Sequence, residues 1–185
     1  LHNNKLYVGT NQGVFYHDWQ TLNQGGSDQV FQPVSNTQGQ VWDLSVIDGT
    51  LFCGHNNGVY IIEGTRARMI SDVQGGWTFL QPENRSNILL CGTYTGLVKI
   101  EKHTSGWQNG IRVKGFRESS RYLANAGKNT VWMSHGYKGV FRMHLNDNLD
   151  SVKSVDFFNE NQGLPTNRDI NVFEIEDQVV FTTSN

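Results

Sequence analysis

One segment occurs five times along this chain, and such a recurrence limits the fold before any single residue is considered. LYVGTNQGVFYHD at 6–18 returns as LFCGHNNGVYIIE at 51–63, LLCGTYTGLVKIE at 89–101 and VWMSHGYKGVFRMH at 131–144, and VVFTTSN opens a fifth copy. The copies begin at Leu6, Leu51, Leu89, Val131 and Val179, separated by 45, 38, 42 and 48 residues. A period of about 40–50 residues suits propeller blades and also helical HEAT or armadillo repeats.

Local patterning separates the two. Each copy is a short β-rich run, a polar turn and a second β-rich run, which is a hairpin signature. Gly13, Gly58, Gly96 and Gly139 hold the same place in each turn, where a tight connection often needs a positive φ. No amphipathic stretch is long enough for repeated helix pairs. Another strand-like run precedes each hairpin, at 41–48, 78–84, 121–127 and 170–177, and a fourth follows, at 30–35, 67–71, 111–116 and 152–158. Asp48-Gly49 reads as the turn between the first two runs of its unit. The unit therefore has four strands, A to D, as a propeller blade does.

The sequence thus predicts an all-β chain: a partial β-propeller of four-stranded antiparallel blades, three complete and two partial. The blades expected are 1–35 (strands B–D), 39–71, 76–116, 120–158 and 168–185 (strands A–B). A chain that begins at Leu1 and ends within a strand pattern reads as a fragment, completed by the remaining blades of a parent chain.

Composition narrows the functional classes. Hydrophobic residues make up 37% and the net charge is −2, so no basic field is present to hold nucleic acid. Charged residues are 17%, below the usual ~25%, so the surface relies on amides and hydroxyls. No apolar run approaches the ~20 residues of a membrane-spanning helix.

Antiparallel strands A to D place the B–C turns and the D–A connections on one face, with strand A innermost. That face gathers Asn11, Gln12, Asn56, Asn57, Tyr94, Thr95, Tyr137 and Lys138. Near the innermost strands it adds Gln40, Trp77, Arg121, Arg168 and Asp169. The candidate ligand-binding set is Gln40, Asn57, Trp77, Tyr94, Arg121, Tyr137, Arg168 and Asp169. Aromatic faces suit the apolar side of a pyranose, and amides take its hydroxyls. Arg121 and Arg168 also suit the carboxylate of an acidic sugar, because guanidinium pairs with it in a bidentate way. Asn, Gln, Thr and Gly are equally ordinary turn residues.

Other residues read as structural. Trp132 matches Tyr7 and Phe52 in the repeat and points to packing between blades, and Trp42 reads as core. His55 and His135 share one repeat position with Thr10 and Thr93; a structural role is expected there and no metal site. Cys53 and Cys91 are too few for a disulfide framework and read as small buried residues. No GxSxG elbow, P-loop, CxxC or HExxH spacing occurs, no two carboxylates are paired by sequence, and no cofactor is expected.

The strings LYVGTNQGVF, LFCGHNNGVY and LLCGTYTGLV, with NENQGLPTNRDINVFEIEDQVVFTTSN at 159–185, resemble the two-component regulator propeller repeat. That repeat belongs to the extracytoplasmic sensor region of Bacteroides-type hybrid two-component histidine kinases. Ser134 and Thr182 stand where the repeat usually has Gly. The resemblance implies a periplasmic ectodomain that senses oligosaccharides or glycan fragments, works as a homodimer and has no catalytic role in this segment. Two other readings remain: a protein-binding propeller scaffold, and part of a propeller glycosidase or lyase.

Overall fold

A computed structural model describes residues 1–24, 30–108, 110–176 and 178–183. Asp177, Ser184 and Asn185, part of the last expected pair of strands, lie outside the described residues. The chain forms two compact units, 1–76 and 77–185.

In the first unit, β1 (Lys5–Thr10), β2 (Gly13–Asp18) and β3 (Gln32–Pro33) form one antiparallel sheet in chain order. A short helix, α1 (Trp19–Asn23), follows β2; the sequence pattern had not indicated it. Asp18 caps it by accepting the N–H of Gln20 at 3.0 Å and of Thr21 at 3.3 Å, the usual role of an N-cap carboxylate. The second sheet is β4 (Val41–Ile47), β5 (Thr50–His55), β6 (Gly58–Glu63) and β7 (Arg66–Ser71). Between β4 and β5, Asp48 and Gly49 both take positive φ, 49° and 71°, as a two-residue type I′ hairpin demands. Val14 of the first sheet and Val34, just after β3, pack with Leu51, Cys53, Tyr60 and Ile62 of the second in one core.

The second unit repeats the plan. Its first sheet has β8 (Thr78–Leu80), β9 (Ile88–Thr93) and β10 (Gly96–His103), with β11 (Gly106–Trp107) and β12 (Ile111–Arg112) both paired to the outer edge of β10. Next come β13 (Tyr122–Asn125), β14 (Thr130–His135), β15 (Gly139–Leu145) and β16 (Val152–Phe158), then the pair β17 (Asn171–Ile175) and β18 (Gln178–Thr182). β13 neighbours both β8 and β17, so the first strands of successive sheets lie side by side. The core between the first two sheets is apolar: Ile88, Leu90, Leu97, Val113 and Phe116 meet Leu123, Val131, Met133, Phe141 and Met143. A blade built this way buries both faces of its central strands; β9 is buried at all six of its residues.

The architecture is the expected one: nearly all β, in antiparallel sheets of the four-strand plan, one with its outer edge divided between β11 and β12, and with partial sheets at the ends. The differences lie in strand lengths. The run 78–84 gives a strand only to Leu80, because Pro82 cannot donate to a ladder. The runs 30–35 and 111–116 yield only β3 and β12. In both, a left-handed residue, Asn36 (φ 67°) or Gly115 (φ 84°), turns the chain away. The residue before it then latches onto the outer part of the next sheet. Ser35 bonds Thr65 and Ala67 through its N–H and C=O, each at 2.9 Å. Lys114 does the same with Asp150 at 2.9 Å and Val152 at 2.8 Å.

The repeat glycines have a physical cause. A Cβ on Gly13, Gly58, Gly96 or Gly139 would lie inside van der Waals contact of the carbonyl oxygen of Thr37, Ser71, Phe116 or Phe158, respectively. All four also have positive φ.

Candidate functional site

The B–C turns and D–A connections are tied together by backbone hydrogen bonds, so they share one end of each unit. Gly39 donates to Gln12 O at 3.3 Å and Gly75 to Asn56 O at 3.0 Å; Ser120 donates to Thr93 O at 2.9 Å and Asp169 to Gly136 O at 3.1 Å. Residues just before an innermost strand are thereby held beside a turn. Trp77 precedes β8 and is anchored by its N–H to Gly92 O at 2.7 Å; Arg121 precedes β13 and is anchored to Ser134 O at 3.2 Å.

Because β8, β13 and β17 are neighbours, these residues converge in the second unit. Trp77 meets Tyr94 edge to face, ring centroids 5.3 Å apart. The Arg121 guanidinium lies 5.8 Å from the Trp77 ring and 5.5 Å from the Tyr122 ring, a cation–π arrangement. Asp169, at φ 50°, brings Oδ1 to 3.6 Å from Arg121 Nη1. That is an ion pair but too long for a hydrogen bond.

A second cluster lies in the β14–β15 turn. Lys138 Nζ donates to Glu118 Oε2 at 2.7 Å, and His135 Nε2 stands 3.7 Å from the same oxygen. Tyr137 is exposed and its ring meets the His135 ring edge to face at 4.5 Å. Burial, then the Lys138 charge, push the His135 pKa down, with Glu118 opposing them. The Glu118 hydrogen bond, chiefly, raises that of Lys138.

Of the eight residues singled out from sequence, the fold brings Trp77, Tyr94, Arg121 and Asp169 into contact. Tyr137 sits on His135 instead. Arg168 is exposed, with its N–H on Thr166 Oγ1 at 3.1 Å and no ion pair among the described residues. Gln40 and Asn57 are exposed in the first unit; the Gln40 N–H donates to Asn56 Oδ1, and that of Asn57 to His55 Nδ1, each at 3.1 Å. Glu118 and Tyr122 were missed. Tyr122 adjoins Arg121 in sequence, but Glu118 comes into reach of Lys138 only through folding.

His55 and His135 act as turn braces, and no cluster of metal-ligating side chains occurs among the described residues. Both cysteines are buried thiols. Burial, aided by Asp43, pushes the Cys53 thiol up to about 12. Trp132 packs between Phe158 and Phe181, centroids 5.4 and 5.1 Å away, beside an apolar hollow of about 190 Å³. No helix among the described residues is long and apolar enough to cross a membrane.

Four-stranded antiparallel sheets whose connections return to neighbouring innermost strands define a partial β-propeller. Solved structures of similar fold include two of the extracellular domain of BT4673 from B. thetaiotaomicron, one described as a one-component and one as a hybrid two-component system. The likeness has TM-scores of 0.67 and 0.65 at 15% and 14% identity, and covers 99% and 100% of this chain. The chain spans about a quarter of each of those structures, 25% and 26%. The WD40 β-propeller domain of Doa1 matches at TM-score 0.53 and 15% identity, over 82% of this chain and 50% of that one. The sequence matches no family model, and no curated protein matches it.

Proposed function

We propose that this chain is a segment of an extracytoplasmic, ligand-sensing propeller from a hybrid two-component sensor histidine kinase, and that it detects oligosaccharides. The observation that carries the reading is the convergence of Trp77, Tyr94, Arg121 and Asp169 on the end of the second unit where the turns meet. An indole and a phenol supply an apolar platform, and Arg121 and Asp169 supply donors and acceptors at its edge. Sugar recognition needs both kinds of surface together. The fold likeness to a Bacteroides sensor ectodomain supports the same reading, as does the repeat resemblance.

In this reading the segment is periplasmic, takes no cofactor and is flanked by further blades, with its own blades at 1–35, 39–71, 76–116, 120–158 and 168–185. The intact receptor is a homodimer. Ligand binding biases a packing equilibrium that the kinase reads, by as much as the ligand's differential affinity for the two states. The test is calorimetric titration of the parent ectodomain with a panel of neutral and acidic oligosaccharides, with Trp77→Ala as the comparison. Saturable binding that this substitution abolishes is expected. Binding that it leaves unchanged overturns the assignment of the site.

A further inference from the structure

We infer that the sensed oligosaccharide is acidic: Arg121 receives the carboxylate of a uronic acid residue whose ring lies on Trp77. The inference rests on the oligosaccharide reading of this face and specifies its substrate class.

The argument begins with unused donors. A guanidinium has five N–H groups in a planar fork. Among the described residues, those of Arg121 form no hydrogen bond. The nearest acidic oxygen, Asp169 Oδ1, stays at 3.6 Å. The side chain is nonetheless held in place, 5.8 Å from the Trp77 ring and 5.5 Å from the Tyr122 ring. It is 41% exposed, so its free edge is open to solvent. Gly136 helps keep that edge clear: a Cβ there would stand 3.7 Å from Nη1.

A cation oriented by two rings, with its fork unoccupied, is preorganised for a planar anion. A carboxylate matches the fork in two parallel N–H···O bonds, and in an oligosaccharide a uronic acid residue carries one. Asp169 stands beside the fork. It is 64% exposed, so displacing it from a contact that is not a hydrogen bond costs little. The pyranose ring that carries the carboxylate then covers the indole, edged by Tyr94.

The test uses the parent ectodomain and two probes of equal length and linkage, a galacturonic acid trimer and a galactose trimer, titrated at pH 7. The acidic trimer is expected to bind about 10- to 100-fold more tightly, the range for hydrogen bonds to a charged group. Arg121→Gln should erase the difference. Arg121→Lys should retain part of it, because the charge stays and the fork goes. Asp169→Asn should strengthen acid binding about two- to fivefold, as expected when a weak exposed ion pair is removed. Far-UV circular dichroism checks that each variant is folded; if Arg121→Gln is not, the Lys and Asn variants carry the test. Equal binding of the two trimers, or a preference that survives loss of Arg121, overturns the acidic assignment and leaves the sugar-binding face standing. Binding of neither trimer at millimolar concentration overturns both.

Discussion

Nδ1 of His135 accepts the backbone N–H of Tyr137 at 3.2 Å. The same brace recurs at every B–C turn. His55 takes the N–H of Asn57 at 3.1 Å, Thr10 Oγ1 that of Gln12 at 3.1 Å, and Thr93 Oγ1 that of Thr95 at 3.3 Å. Thr and His are interchangeable here because each puts one acceptor within reach of the N–H two residues on. They alternate along the chain, and so do the latches. The short outer strands that latch onto the next sheet belong to the Thr-bearing sheets, and the long outer strands to the His-bearing ones.

The brace makes stability depend on pH. Burial lowers the pKa of both His55 and His135 from the ordinary 6.5. The unfolded chain therefore binds protons that the folded one refuses. Stability is expected to fall as pH drops through about 6.5 and to level off below the folded-state values. Beside His135, Glu118 works against this shift and Lys138 adds to it. Urea midpoints at pH 7.5 and pH 5 should differ in the native protein and converge in the His55→Thr, His135→Thr double variant. A pH dependence unchanged in that variant would locate the titrating groups elsewhere.

Gly58→Ala and Gly64→Ala should not cost the same. Both glycines have positive φ, 151° and 65°. A Cβ at Gly58 collides with the Ser71 carbonyl, whereas one at Gly64 meets nothing within 4 Å. Gly64→Ala should cost about 1 kcal/mol for the left-handed backbone alone. Gly58→Ala should cost clearly more, since the backbone of β7 must shift. Equilibrium urea unfolding separates them.

Lys99 is a charged residue inside the second unit, its side chain only 6% exposed. Nζ donates to Glu101 Oε1 at 2.8 Å and to the Asn148 carbonyl at 3.0 Å. Lys99→Met keeps the apolar stem but strands that carbonyl, and should lower stability by about 1–3 kcal/mol. Lys99→Ala should lower it further, because the stem packing is lost too. A Lys99→Met variant more stable than the native protein would show that the charge is a burden on the fold.

Ser134→Ala should raise stability by roughly 1 kcal/mol, the usual scale for relieving an unsatisfied buried hydroxyl. Ser134 is fully buried and its Oγ has no hydrogen-bond partner among the described residues. Thermal melts of the two proteins decide it.

Cys53 and Cys91 should resist iodoacetamide at pH 8 in the native protein and react together once urea unfolds it. Both are buried completely, and thiolate formation at Cys53 is further suppressed by its raised pKa. Intact mass spectrometry with and without urea reads the outcome.

Much of this was legible in the residues. A 40–50-residue period, hairpin patterning and one glycine per turn are local signals, and local signals survive in sequence. They were enough for the all-β class, the four-strand unit and the structural reading of His55 and His135. Cys53 and Cys91 also read correctly as buried, from their apolar neighbours. The latches at Ser35 and Lys114 were not legible. Each depends on a left-handed turn that delivers the chain to another sheet, and no local pattern encodes that destination. Pro82 signals the break after Leu80.

The candidate site divides the same way. The sequence by itself determined which residues stand at turns and at the start of innermost strands, because the repeat fixes their place within a blade. Only the tertiary structure decided which of them meet. Trp77, Arg121 and Asp169 lie 44 and 48 residues apart along the chain, and they come together because β8, β13 and β17 are neighbours. Gln40 occupies the same place in the repeat as Trp77 but lies in the other unit, and Tyr137 turns to His135. Periodicity assigns a residue to a face; the distance between two such residues depends on how neighbouring sheets pack, and that is set by contacts remote in sequence.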